Sequence, residues 1–260
     1  MDKAIRDKYT VVIGLEVHAQ LLTRSKIYNR DSTAYGSLPN TNVGVITLAH
    51  PGTLPLLNKR VVEYAIRMGL ACHSRISRFN IFDRKNYFYP DLPKGYQITQ
   101  DRTPICVGGY VTIDTKEGTR DIELHRIHIE EDAGKSIHLA TESDTLVDFN
   151  RAGVPLIEIV TQPCLKNSDE AYAYLTEVRK LVRYLDICDG NMEEGSLRCD
   201  ANISIMPVGS SVFGKKVEVK NMNSIRNVQR AIDHEIERQI AETEKGNTIF
   251  SETHVRYTVC

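Results

Sequence analysis

LRCDANISI (197–205) alternates without a break: Cys199, Ala201, Ile203 and Ile205 take one phase, and Arg198, Asp200, Asn202 and Ser204 take the other. A period of two marks a strand with one face on a core and one face open. VVIGLEVHAQL (11–21) repeats the pattern, setting Leu15, Val17, Ala19 and Leu21 against Glu16, His18 and Gln20. Residues 216–220 do so again, with Val217 and Val219 inward and Lys216, Glu218 and Lys220 outward, after MPVGSSVFGK, which reads as a hairpin connection. Further strands are expected at 109–114, 121–130 and around 154–160.

The period changes to that of a helix in two places. Residues 169–185 carry Ala171, Tyr174, Leu175, Val178, Leu181, Val182 and Leu185 on one stripe, with Ser168 as the expected N-cap and Asp169 and Glu170 in the first turn. A last helix starts near Asn223 or Ser224, with Ile225, Val228, Ile232, Ile236 and Ile240 on its stripe and Gly246 beyond its end. A shorter helix is expected after Asn58, burying Val61, Val62, Ala65, Ile66 and Leu70. Residues 36–58 read mainly as loop and 79–100 as irregular. The whole is an α+β pattern with a largely antiparallel sheet.

Bulk properties exclude several classes. Net charge is −1, so any nucleic-acid contact rests on local patches. The six cysteines contain no CxxC pair, which argues against a disulfide framework or a zinc knuckle and fits a reducing compartment. MDKAIRDKYT has no apolar core of a secretory signal, and no apolar run reaches ~18 residues. There is no GxxxxGKS or GxGxxG loop, no serine nucleophile elbow and no Ser–Ser–Lys amidase signature.

The polar phases of the strands carry the chemistry. Glu16 with His18, Asp200 with Asn202, and Glu218 between two lysines would converge if their strands share a sheet; HRIHIEEDAGK (125–135) adds Glu130, Glu131, Asp132 and Lys135. Such an oxygen-rich surface suits Mg²⁺ with substrate phosphates, and lysines beside it suit a triphosphate. A solvated sheet face reads the same way from spacing alone, and EEDAGK alone could be a turn. FDRKNYFYPDLPKGYQITQ (82–100) interleaves Arg84, Lys85 and Lys94 with Tyr87, Phe88, Tyr89 and Tyr96, which suits a single-stranded RNA end or, equally, a Tyr-rich loop over the core.

Those stretches, with PGTLPLLN (51–58), LVDFNRAGVPLIEIV (146–160), DGNMEEGSLRCDANISI (189–205) and KVEVKNMNSIRNVQRAIDHEIERQI (216–240), resemble the B subunit of the GatCAB tRNA-dependent amidotransferases. The archaeal E subunit is the related alternative. The resemblance implies a cradle-type catalytic domain over 11–246, preceded by a tail (1–10) and followed by a shortened segment (247–260) that lacks the family's helical and tail domains. It implies ATP-dependent phosphorylation of the side-chain carboxylate of misacylated Glu-tRNA(Gln) or Asp-tRNA(Asn), then amination with ammonia made by an A subunit, with a small C subunit completing the heterotrimer. It places Mg²⁺ and the chemistry at Glu16, His18, Glu130, Glu131, Asp200 and Glu218, nucleotide phosphates at Lys135 and Lys220, and the tRNA acceptor end at Arg84, Lys85 and Tyr87. It implies the bacterial cytoplasm, or a mitochondrion or plastid for an organellar copy. Many members carry a cysteine-rich zinc knuckle where this chain, over 27–52, has no cysteine, so no zinc is expected. A non-catalytic tRNA-binding or scaffold fragment is the competing reading.

Overall fold

The computed structural model describes residues 3–139 and 143–255. In chain order it contains α1 (Lys3–Arg6), β1 (Tyr9–Gln20), α2 (Lys59–Ala71), β2 (Arg75–Ile76), β3 (Asp83–Asn86), β4 (Tyr96–Thr99), β5 (Cys106–Val107), β6 (Tyr110–Thr115), β7 (Gly118–Glu131), β8 (Lys135–His138), β9 (Thr145–Asp148), β10 (Pro155–Thr161), α3 (Ser168–Tyr184), β11 (Leu197–Pro207), β12 (Val217–Lys220), α4 (Ile225–Glu244) and β13 (Glu252–Val255). Nine strands form one sheet in the order β13-β12-β11-β1-β10-β7-β5-β2, with β6 also on β7. Every pairing is antiparallel except β12 with β13, whose parallel junction uses α4 as its crossover. The expected α+β class with a largely antiparallel sheet is what the chain adopts.

The alternation read from the sequence sorts the two sheet faces. Ile13, Leu15, Val17 and Ala19 of β1, Ile127 and Ile129 of β7, Ile157 and Ile159 of β10 and Cys199, Ala201 and Ile203 of β11 face a single core, which α2, α3 and α4 close with Val61, Met68, Tyr174, Val178, Val182, Val228 and Ile232. No described helix is long and apolar enough to cross a membrane. The five described cysteines are all free thiols, and Cys260 lies outside the described residues.

Several local expectations are corrected. The α3 N-cap is Asn167, whose side chain accepts from the Glu170 backbone N–H at 2.8 Å; Ser168 begins the helix and is buried. Both residue types cap, and the deciding contact is one residue earlier. On α2 the buried stripe is Val61, Tyr64, Ala65 and Met68, whereas Leu70 is 63% exposed. The helix is rotated so that Tyr64 and Met68, at i+3 and i+7 from Val61, meet the core. The stretch 79–100 is not irregular throughout, because β3 and β4 pair as a ribbon from Asp83↔Thr99 to Asn86↔Tyr96. Beyond Gly246, β13 extends the sheet, held by Arg238 of α4 against Glu252 and by Glu235 against His254. At the other end β1 begins at Tyr9, inside the expected tail.

Candidate active site

The helix-free face of the sheet is a cleft of about 1270 Å³. Small-ligand pockets run to about 1,000 Å³, so this one has room for more than one reactant. Its floor is built by register. Glu16 of β1 lies directly opposite Asp200 of β11, and Asn202 opposite Glu218 of β12. One step along, Arg198, His18, Glu158 and His128 form a continuous row across β11, β1, β10 and β7. Leu156 pairs with both Gln20 and Glu130 in the next row. Like charges directly opposite destabilise a sheet, so Glu16 facing Asp200 is a costly pairing that the fold itself does not need.

The side chains gather into two acidic triads. Glu16, Asp200 and Glu218 bring carboxylate oxygens within 4.8 Å of one another, and His18, Glu130 and Glu158 bring an imidazole nitrogen and two carboxylates within the same limit. Each triad is met by a basic side chain of the protein. Lys220 Nζ lies 2.8 Å from Asp200 Oδ2 and 3.1 Å from Glu218 Oε1. His128 Nε2 lies 3.2 Å from Glu130 Oε1 and 3.2 Å from Glu158 Oε2, while its Nδ1 is buried without a hydrogen-bond partner. Glu16 also accepts from Asn202 Nδ2 at 2.9 Å, and Glu130 from Thr99 Oγ1 at 2.6 Å.

The electrostatics follow from this crowding. Burial, and the charges of Glu158, Glu218 and Asp200, raise the pKa of Glu16 against the lowering effect of the Asn202 bond. Burial alone would lower His128, but its bonds to Glu130 and Glu158 and their charges carry it up to about 9. His18 is raised in the same way by Glu158, against burial and Arg198. Glu158 is held well below the usual carboxylate range by His128 and His18 despite its burial. Lys220 is pushed up to about 12 by Asp200 and Glu218, again against burial.

The donors fit divalent cations. Hard oxygens from several strands with one imidazole are a set that Mg²⁺ or Mn²⁺ accepts. The Lys220 ammonium and the His128 imidazole stand where positive charge is needed.

Of the residues expected from sequence, Glu16, His18, Glu130, Asp200, Glu218, Lys220, Arg84, Lys85 and Tyr87 all line the cleft. Glu131 and Lys135 do not. Glu131 is next to Glu130 on an extended strand and so points to the opposite side. There it is buried against the Lys94 ammonium and accepts from the Ile98 backbone N–H at 2.9 Å. Lys135 sits on β8 and lines a separate cavity with Thr33, Tyr35 and Asp189. The expected single cluster is thus two triads with one of its acids behind the floor.

Glu158, His128 and Arg198 were not singled out by sequence reasoning. Glu158 is the lone acid in PLIEIVT, and His128 and Arg126 precede Glu130 at spacings of two and four in HRIHIEE, so phase alone points all of them to one face. The β3–β4 ribbon brings cations and aromatics to the same cleft: Arg84 lies over the Tyr96 ring at 5.4 Å and Lys85 over Tyr87 at 5.7 Å. Thr99 and Gln97 of that ribbon bond Glu130, which ties the ribbon to the floor.

A family profile described as the GatB/GatE catalytic domain matches residues 11–258. Among curated relatives, the B subunit of the aspartyl/glutamyl-tRNA(Asn/Gln) amidotransferase of Chlorobaculum tepidum is 57% identical over 247 residues, covering 95% of this chain and 52% of its own length. The proteins of the same name from Caldanaerobacter subterraneus and Salinibacter ruber are 55% and 53% identical, with 52% and 50% of their lengths covered. The chain therefore spans about half the length of these relatives. With every residue that lines the two-triad cleft inside the matched stretch, the chain belongs to the GatB/GatE catalytic domain family.

Proposed function

We propose that this chain carries the phosphorylation and amidation site of a tRNA-dependent amidotransferase, converting Glu-tRNA(Gln) or Asp-tRNA(Asn) to the amide with ATP. One observation carries the reading: two metal-competent triads lie side by side on the floor of one cleft, beside a ribbon rich in cations and aromatics. That layout suits an anionic nucleotide on the floor and a stacked acceptor end against the ribbon.

The chemistry has two steps. An oxygen of the substrate carboxylate attacks the γ-phosphorus of ATP, and the bond to the β–γ bridging oxygen breaks, its electron pair leaving on ADP. Ammonia then adds to the acyl carbon, loses a proton and expels inorganic phosphate. Bound Mg²⁺ would supply charge neutralisation for the phosphates. Glu16, Asp200 and Glu218 would hold one ion and His18, Glu130 and Glu158 a second. Lys220, once released from Asp200 and Glu218, is placed to pair with phosphate oxygens. His128, in its protonated form, orients Glu130 and Glu158. Arg84, Lys85 and Tyr87 would contact the acceptor end of the tRNA.

Ammonia production is assigned to a partner, an A-type amidase subunit, with a small C-type subunit completing the complex. The test is amide formation by the assembled heterotrimer on Glu-tRNA(Gln) with ammonium supplied directly. ATP-dependent Gln-tRNA with one ADP per amide supports the reading. Ammonium-fed amidation without ATP consumption rejects it.

A further inference from the structure

One more charged side chain adjoins a member of each triad. Arg198 is the direct cross-strand neighbour of His18 and lies two residues from Asp200 in the same strand phase, so it borders both triads. Its Nη1 donates to Asp132 Oδ2 at 2.9 Å. Among the described residues its Nε and Nη2 meet no acceptor, and the side chain lines the cleft. Of the other cations, Lys220 is paired with Asp200 and Glu218 and Arg126 with Asp101 at 3.0 Å, while Arg84 and Lys85 lie over the Tyr96 and Tyr87 rings of the ribbon side.

Asp132 is fixed from three sides. It is 7% exposed, accepts from Gln20 Nε2 at 2.6 Å on the oxygen that meets Arg198, and faces Arg151 Nε at 3.8 Å on the other. Arg151 is itself clamped to the carbonyls of Ala133 and Gly134, at 3.0 and 2.6 Å. Through Gln20 and Arg198 the arrangement ties β1 and β11 to one carboxylate just past the end of β7.

We propose that Arg198 is a catalytic residue, donating from its free guanidinium edge to the phosphoryl group as it passes from ATP to the substrate carboxylate, and that Asp132 is the positioning residue that aims it. The inference rests on the phosphorylation reading above. The phosphoryl oxygens carry charge into a floor already holding five carboxylates. A planar donor that adjoins both triads meets that charge with N–H groups its Asp132 bond leaves free. A lysine could supply the charge without the fork.

The experiment uses the full heterotrimer in single turnover with Glu-tRNA, ammonium withheld and hydroxylamine present to trap the acyl phosphate as the side-chain hydroxamate, counted as the ATP-dependent yield because hydroxylamine also cleaves the aminoacyl ester to the α-hydroxamate. ATP affinity and melting temperature are measured in parallel. Arg198→Ala should lower the trapping rate by about 10³-fold while ATP affinity stays within about threefold. Added guanidinium should restore about tenfold or more of the lost rate, and Arg198→Lys should stay well below wild type. Asp132→Asn should lower the rate with little change in ATP affinity, and the double variant with Arg198→Ala should be no slower than Arg198→Ala alone. A trapping rate for Arg198→Ala within about threefold of wild type overturns the proposal, as does a rate loss that tracks lowered melting and ignores guanidinium. A wild-type control that forms no ATP-dependent side-chain hydroxamate rejects the phosphorylation reading itself, and the two failures are read from different samples.

Discussion

Lys220 lays its ammonium 2.8 Å from Asp200 Oδ2, and so sets the chain's own charge against the carboxylates of the first triad. His128 does the same for Glu130 and Glu158 in the second. In the first triad the lysine relieves a repulsion that the sheet register imposes, because Glu16 and Asp200 are directly opposed; in the second, the register sets His128 itself opposite Glu158.

A divalent cation entering the first triad must therefore displace Lys220. Lys220→Met removes the competitor and keeps the length of the side chain. Mn²⁺ binding in the absence of nucleotide should tighten by about tenfold, roughly 1.4 kcal/mol. Electron paramagnetic resonance of free Mn²⁺ during titration measures it. Unchanged or weaker binding would mean that the lysine does not guard a cation site.

Asp200→Asn keeps the strand and the side-chain volume but removes one negative charge from the first triad. Ammonium-fed, ATP-dependent amidation should fall by orders of magnitude, since metal-assisted charge neutralisation is worth several kcal/mol. The melting temperature should move little, because Asp200 lies on the open face. Near-normal turnover in that assay would return Asp200 to the status of a solvated surface acid, for which effects stay within about 0.5 kcal/mol.

Glu131 gives the contrasting case. It is 2% exposed and ion-paired with Lys94 behind the floor. Glu131→Gln leaves a buried ammonium without its counter-charge, which costs about 3–5 kcal/mol. Chemical denaturation should show that loss, while Mn²⁺ affinity stays within about threefold of wild type. Intact stability with lost Mn²⁺ binding would place Glu131 among the metal ligands after all.

What could be read from sequence, and what could not, divides along physical lines. β1 and β11 were legible because one face is core and the other open, so polarity alternates with the pleat. α3 and α4 were legible from their stripes. Glu158 was hidden because β10 is buried on both faces, which mutes alternation: its first five residues, Pro155 to Ile159, are buried in succession, Glu158 among them. His128 keeps the phase of Glu130 in HRIHIEE, and the run of acids after it drew the reading instead. Glu131 was grouped with Glu130 because adjacency in sequence resembles adjacency in space, whereas an extended strand sends neighbours to opposite sides. The β3–β4 ribbon was missed because polar bonds from Thr99, Gln97 and Ile98 to Glu130 and Glu131 fix it, and those bonds leave no periodic trace. β13 is four residues long with a single formal charge, and pairs only after α4 returns the chain to the sheet edge.

Lys26 yields a pH-dependent prediction. It is buried, donates to the carbonyls of Asn42 at 2.7 Å and Phe149 at 3.4 Å, and burial pulls its pKa down to about 8 from the ordinary 10.5. The folded value is below the unfolded one, so the unfolded chain takes up this proton first as pH falls. Stability associated with Lys26 is therefore lost between 10.5 and about 8, and the loss is complete below that window. Relative to Lys26→Met, wild type should gain about 2 kcal/mol as pH rises from 8 to 10.5, after discounting for solvent screening. Urea titrations of both proteins across that range measure it, and a constant difference between them would show that Lys26 is not held in a desolvated state.

The proposed site holds two cations on one floor. Crystals of the heterotrimer with Mn²⁺ and a non-hydrolysable ATP analogue, measured at the manganese absorption edge, test it most directly. Two anomalous peaks per B-type chain are expected, one among Glu16, Asp200 and Glu218 and one among His18, Glu130 and Glu158. Manganese bound to the nucleotide phosphates alone, with both triads empty and Lys220 still on Asp200, would contradict it.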